Sequence, residues 1–297
     1  MTPTRSVAQR GLVAYLLVTF ALAWAAQLAF ALIFRSNPGV LGSFAIIALL
    51  MWPPAIGAFV ARHFVERSGW ADSGLRWPRW RYVVIAWFLP AGFAIASMVI
   101  SLPLYHFDAS LSALPHSVRG PAPQMLLLIQ VVAALTLAIP INSIFAFGEE
   151  LGWRGYLLPR LQQLFGYWPG LLGHGAIWGV WHAPLIVLTG YEYPRHHYLG
   201  VLLFIVFLAL ASTILGWLRL ASGSIVPSTI VHAGNNAIGA LPLLLLQGVD
   251  TAIGGVIYSA LGFAVLLVII AWLVVTGRLA DLRSPNWRPG HTLPPLS

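Results

Sequence analysis

The chain is 297 residues long, 59% of them hydrophobic and only 8% charged, with no cysteine. A soluble domain carries about 25% charged residues, so this composition points to a polytopic membrane protein, and the missing cysteines exclude disulfides, thiolate nucleophiles and Cys-based zinc sites. The net charge of +8 rests on sixteen arginines without a lysine; they fall in short segments between apolar runs, which fits topology control and not a nucleic-acid surface.

A hydrocarbon core takes about 20 apolar residues per helix. By that measure the predicted spans, in chain order, are 11–34, 42–63, 82–104, 124–147, 171–190, 198–220, 224–247 and 252–277. The expected fold is all-α: a polytopic membrane protein of about eight transmembrane helices, a single integral domain over 1–283 that encloses an intramembrane active-site cavity. Arg5 and Arg10 precede an apolar stretch that is too long for the core of a signal peptide, so this stretch is expected to stay as the first membrane helix. The segment 148–166 is a more amphipathic helix, able to continue the fourth span. The 62–81 loop, which mixes arginine with tryptophan, reads as an interfacial anchor. The Pro-rich tail 284–297 is expected to be disordered.

Arginine placement tests the topology. With a cytoplasmic N-terminus and eight alternating spans, thirteen arginines fall inside and only Arg35, Arg119 and Arg195 outside. That bias supports two cytoplasmic termini. The expected location is the bacterial inner membrane, with lipid as a partner and no nucleic acid.

Ionisable groups at membrane depth are costly and usually functional, so their census is informative. Glu149, Glu150 and Arg154 lie at the end of the fourth span, His174 and His182 in the fifth, and His232, Asn235 and Asn236 in the seventh, all within a motif-bearing core of about 124–247. Residues four apart share a helix face, so Glu150 can pair with Arg154, and His232 shares a stripe with Asn236. Glu149 is turned about 100° from Glu150, which gives the two carboxylates different tasks. His174, between Gly173 and Gly175, reads as an interhelical hydrogen bond, and Asn235, one position off the stripe, as packing glue.

Carboxylate and imidazole together can activate water directly, or bind a divalent metal such as zinc that does so. Asn and a second His can stabilise an oxyanion. The set therefore suits hydrolysis of an amide. There is no G-x-S-x-G, H-E-x-x-H, P-loop or dinucleotide pattern.

The sequence EELGWR at 149–154 resembles the EExxxR motif of the CAAX prenyl endopeptidase and bacteriocin-processing family of intramembrane proteases, also called the Abi family. WGVWH at 178–182 resembles the family's FxxxH, with Trp178 in place of Phe, and HAGNN at 232–236 its HxxxN. The resemblance covers roughly 145–240 and agrees with an eight-helix fold. It implies an endopeptidase acting on a membrane-anchored or hydrophobic peptide. Carried over, Glu149 would be the catalytic base with His182, His232 and Asn236 the oxyanion hole, and Glu150 with Arg154 the brace. If a metal is bound, Glu149, His182 and His232 would be its ligands; a metal-free Glu/His mechanism uses the same side chains. The rival expectations are a non-catalytic immunity or scaffold protein of the same fold, and a proton-coupled transporter. The transporter is disfavoured because the polar set lies in one half of the chain without a matching repeat.

Overall fold

A computed structural model describes residues 4–33, 46–112, 114, 117 and 122–279. The tail 284–297 lies outside the described residues, as do Arg35, Arg119, Arg283 and Arg288 of the topology count. Among the described residues the fold is all-α, with one isolated bridge between Phe107 and Leu246.

Helix α1 is Arg5–Ile33 and α2 is Pro53–Val60, which runs into a π-helical turn at Ala61–Glu66. Helix α3 is Trp80–Ser101. Then come α4 (Pro123–Ala133), a π turn (Ala134–Ala138), α5 (Ile139–Gly152), a second π turn (Trp153–Leu157) and α6 (Leu158–Phe165). Helices α7 (Tyr167–Trp181) and α8 (Ala183–Thr189) meet at His182. Helices α9 (His197–Ser222), α10 (Val226–Ile238) and α11 (Ala260–Val275) follow.

Among the described residues five runs are long and apolar enough to cross a bilayer: Arg5–Leu32, Trp80–Ser101, Pro123–Phe165, Tyr167–Thr189 and His197–Ser222. The eight spans expected from hydropathy are not all reproduced, and the reasons are local. Pro53 and Pro54 lack the N–H groups that would continue an incoming helix. The helical residues 46–51 therefore break at Trp52, and α2 starts afresh at Pro53 before passing into its π turn at Ala61. The predicted 224–247 span stops at Ile238, and the predicted 252–277 span starts only at Ala260, where the Ser259 hydroxyl caps Gly262 N–H at 3.1 Å. The fourth span and the 148–166 segment form one 43-residue run. Its two π turns each lie just before a proline, Pro140 and Pro159, where a helical hydrogen bond is missing and one extra residue is absorbed.

The bundle exposes many large apolar residues and buries polar ones among its apolar core. Val275, Leu17 and Phe88 are exposed, whereas Glu150, Arg154 and His174 are fully buried. Helices α7 and α9 form the most extensive pairing. Gly175 and Gly179 make it possible: a Cβ on either would lie 2.3 Å from the Leu208 carbonyl oxygen or 2.6 Å from Ile205 Cα. Small residues at such a contact let two backbones approach closely. Helix α10 packs on α5 and α3, which brings the seventh predicted span against the fourth.

The connecting segments gather at two ends. At one end, Arg219 donates to the Asp72 carbonyl (2.7 Å), Arg76 to the Gly223 carbonyl (2.8 Å), and Ile225 N–H to the Gly74 carbonyl (3.1 Å). At the other, His196 meets Asp250 at 2.8 Å and Thr251 donates to the Glu192 carbonyl at 2.6 Å. The arginines of the 62–81 loop are more than an interfacial anchor. Arg62 is buried and bonds the Gly155 carbonyl at 3.0 Å and Asp72 at 2.8 Å, while Arg160 pairs with Glu66 at 2.6 Å and with Asp72 at 2.8 Å. Trp77 and Trp80 of the same segment remain exposed.

Candidate active site

Glu149, Glu150 and Arg154 sit where α5 enters its π turn. The i,i+4 pair forms, with Arg154 Nη1 2.7 Å from Glu150 Oε1 and both side chains fully buried. The same carboxylate oxygen accepts from His232 Nδ1 on α10 at 2.9 Å. A carboxylate holding two donors from separate helices fixes α5 against α10 and orients the His232 ring.

Glu149 turns the other way. Its Oε2 accepts from the indole N–H groups of Trp153 (3.0 Å) and Trp178 (2.8 Å). Trp178 is the hub of the site. The Arg154 guanidinium lies 4.2 Å from its ring centroid. That is a cation–π distance. The His232 ring lies 5.2 Å from the Trp178 ring and the His182 ring 6.1 Å from it, centroid to centroid. The Phe of the family motif could fill this volume, but it has no N–H for Glu149.

His182 occupies the break between α7 and α8. Its Nδ1 donates to the Trp178 carbonyl at 2.9 Å. This leaves Nε2 as the free nitrogen in the neutral ring. Pro184 follows two residues later, and the helical bond between Leu185 N–H and the Trp181 carbonyl is not made directly. The Gln27 side chain of α1 splices the gap: its Oε1 accepts from Leu185 N–H at 3.0 Å, and its Nε2 donates to the Trp181 carbonyl at 2.9 Å. Sequence reasoning missed Gln27, although an amide at mid-length of an apolar helix was the signal available.

A cavity of about 280 Å³ opens at this point. Glu149, His182, His232, Asn235 and Asn236 line it, with Glu150 and Arg154 behind them. Asn235 therefore faces the cavity and is not simply interhelical glue. His174 stays outside it, bonded to Ser212 of α9 at 3.1 Å, and the same hydroxyl accepts from Arg154 Nη2 at 3.3 Å. Two further polar lining residues, Tyr191 and Glu192, come from the α8–α9 loop and were not singled out from sequence. Burial lifts the Glu192 carboxyl above the usual carboxylate range, and hydrogen bonds from Tyr258 and Tyr191 oppose that rise.

A catalytic zinc takes three protein ligands. Among the described residues no group of three His, Asp or Glu side chains stands at metal-ligand spacing. Glu149 Oε2 is engaged by two indoles and His232 Nδ1 by Glu150.

The fold and site define a class: a helical integral membrane protein with acids, imidazoles and carboxamides around a buried cavity. The comparisons give similarity over part of the chain. Residues 125–238, which contain all three motifs, match the family described as type II CAAX prenyl endopeptidase Rce1-like. A stretch of 46 residues, 15% of this chain, is 44% identical to CAAX prenyl protease 2 of Methanococcus maripaludis and spans 17% of that relative's length.

Proposed function

We propose that this chain is an intramembrane endopeptidase of the CAAX-protease type, hydrolysing a peptide bond in a membrane-associated peptide. The observation that supports this reading best is the convergence of Glu149, His182, His232 and Asn236, from three separate helical segments, on one cavity within an apolar bundle. Glu149 takes a proton from a water held between it and His182, and the resulting hydroxide attacks the scissile carbonyl. Asn236 donates from its amide to the oxyanion, as does His232 from Nε2 when its ring carries both protons. The proton held by Glu149 then passes to the leaving amine. Glu150 and Arg154 orient His232 without touching substrate. Every step uses groups of this chain alone. The arginine distribution suggests that the end carrying Arg154, Arg160 and Arg219 is cytoplasmic and that the location is a bacterial inner membrane.

The test is incubation of purified protein with a library of membrane-anchored peptides, with and without chelator, read by mass spectrometry. Wild type is expected to cleave, with chelator leaving the rate unchanged. Glu149→Ala and His182→Ala are expected to abolish turnover at normal expression. Retained cleavage in both variants would remove the catalytic assignment. Peptide binding by wild type without any cleavage would favour the scaffold reading.

A further inference from the structure

We propose that a second cavity, between the start of α3 and the end of α9, is a binding site for the phosphate of an anionic phospholipid headgroup. This cavity has a volume of about 180 Å³ and shares no lining residue with the active site. Arg76, Arg79 and Arg81 line it from the segment that enters α3, and Ser222 from the last turn of α9. Among the described residues that line it none is acidic. Asp72, the acid nearest to them in sequence, is committed to Arg62 at 2.8 Å and to Arg160 at 2.8 Å. Among the described residues none of the three cavity arginines pairs with a carboxylate. Arg219, three residues before Ser222, is a further buried cation, and its described acceptors are main-chain carbonyls, of Asp72 at 2.7 Å and Arg154 at 3.3 Å. Like charges gathered without an acid repel one another, and a bound anion removes that repulsion.

The cluster is built into the fold. Arg76 Nε donates to the Gly223 carbonyl at 2.8 Å, and the Ser224 hydroxyl donates to the Arg76 carbonyl, so both side chain and main chain of Arg76 are held. Gly223 is left-handed with a φ of 69°, and a Cβ there would collide with the Arg76 guanidinium. Glycine meets both demands. One of the five N–H groups of Arg76 is used in this way, and four remain for an anion. Arg81 lies over the Tyr82 ring, 4.9 Å from its centroid, and the exposed Arg79 side chain makes no hydrogen bond among the described residues. Guanidinium forks take phosphate oxygens in pairs. The surroundings name the source of that phosphate. Helices α3 and α9 are both of bilayer length, so the cavity lies where two spans leave the hydrocarbon. Trp77 and Trp80 beside it are 74% and 75% exposed. Indoles in that position belong to the headgroup layer, and basic pockets between membrane helices hold acidic headgroups. A soluble phosphate has no use for either indole.

The experiment uses the full-length protein in a neutral detergent and a fluorescent short-chain phosphatidylglycerol, with phosphatidylcholine of the same chains as reference. Wild type is expected to bind phosphatidylglycerol about tenfold more tightly. Arg79→Gln combined with Arg81→Gln removes two cavity charges and leaves the contacts of Arg76 in place; the preference should fall to about threefold or less. Arg10→Gln combined with Arg67→Gln removes the same charge from exposed positions outside the cavity and should keep the preference. Equal binding of the two lipids by wild type overturns the proposal. An equal loss in both double variants overturns it too, since diffuse surface charge would then explain the binding. If the cavity double variant fails to fold, Arg79→Gln alone supplies the comparison: a loss of about threefold supports the site, and an unchanged preference sinks it. A last arm adds inorganic phosphate to the lipid complex, with chloride keeping the ionic strength constant. The lipid should stay bound; its displacement by millimolar phosphate would make the occupant a soluble phosphate and overturn the lipid assignment.

Discussion

The indole Nε1 of Trp178 donates to Glu149 Oε2 at 2.8 Å, across 29 positions of sequence, while the same ring carries the Arg154 guanidinium 4.2 Å from its centroid. One side chain thus connects the carboxylate assigned to water activation with the brace behind it. Trp178→Phe keeps the ring and removes the N–H. The variant should fold and bind peptide as wild type does, while kcat falls about tenfold, the equivalent of one hydrogen bond to a charged group. An unchanged kcat would show that the N–H does nothing for the reaction.

Gln27 should be nearly as intolerant of change as the motif residues. Gln27→Leu fills similar space but leaves Leu185 N–H without its acceptor and removes one of the two donors to the Trp181 carbonyl. A buried unsatisfied group costs about 1–3 kcal/mol. The expected result is a lower melting temperature in detergent together with a large loss of cleavage, since His182 sits at the spliced break. A stable Gln27→Leu protein with full activity would mean that the break at His182 holds itself.

Glu150 and Arg154 should be strongly coupled. Arg154→Met leaves the buried Glu150 carboxylate with only His232 as donor, and removing one partner of a buried pair typically costs about 3–5 kcal/mol. Adding Glu150→Gln to Arg154→Met should restore part of that stability, because the orphaned charge disappears. Thermal melts of the two single variants and the double give the coupling. Additive losses would argue against the pair as a unit.

The end cluster of Arg62, Arg160, Glu66 and Asp72 predicts acid sensitivity. Burial alone would raise Glu66 and Asp72, but their bonds to Arg160, joined by Tyr156 at Glu66 and Arg62 at Asp72, outweigh it and hold both below the usual carboxylate range. A depressed folded-state value contributes stability above the unfolded value of about 4 and loses it as pH falls further. Melting temperature should therefore be nearly flat from neutral pH to about 5 as far as this cluster is concerned, and fall below about 4. The acid loss should be shallower in a Glu66→Gln, Asp72→Asn double variant. Parallel pH curves for the two proteins would contradict the assignment.

The sequence by itself determined what helix periodicity and composition determine. Low charge and long apolar runs required a helical membrane protein, and the four-residue spacings of Glu150 with Arg154 and of His232 with Asn236 fixed which residues share a face. The rotation of about 100° between Glu149 and Glu150 already separated a clamped carboxylate from a free one. The structure pairs them with different partners. Span counting was less successful, because hydropathy sums apolar character and does not register where Pro53, Pro54 or a polar site interrupts the backbone ladder. Only the tertiary structure decided which faces meet. The joining of His232 to Glu150 depends on α10 packing against α5, and the close α7–α9 contact on two glycines that let backbones approach. Gln27, Tyr191 and Glu192 reach the cavity from outside the motifs, where local spacing carries no signal. Side-chain partners many positions apart are chosen by packing, and packing depends on the shape of every helix at once.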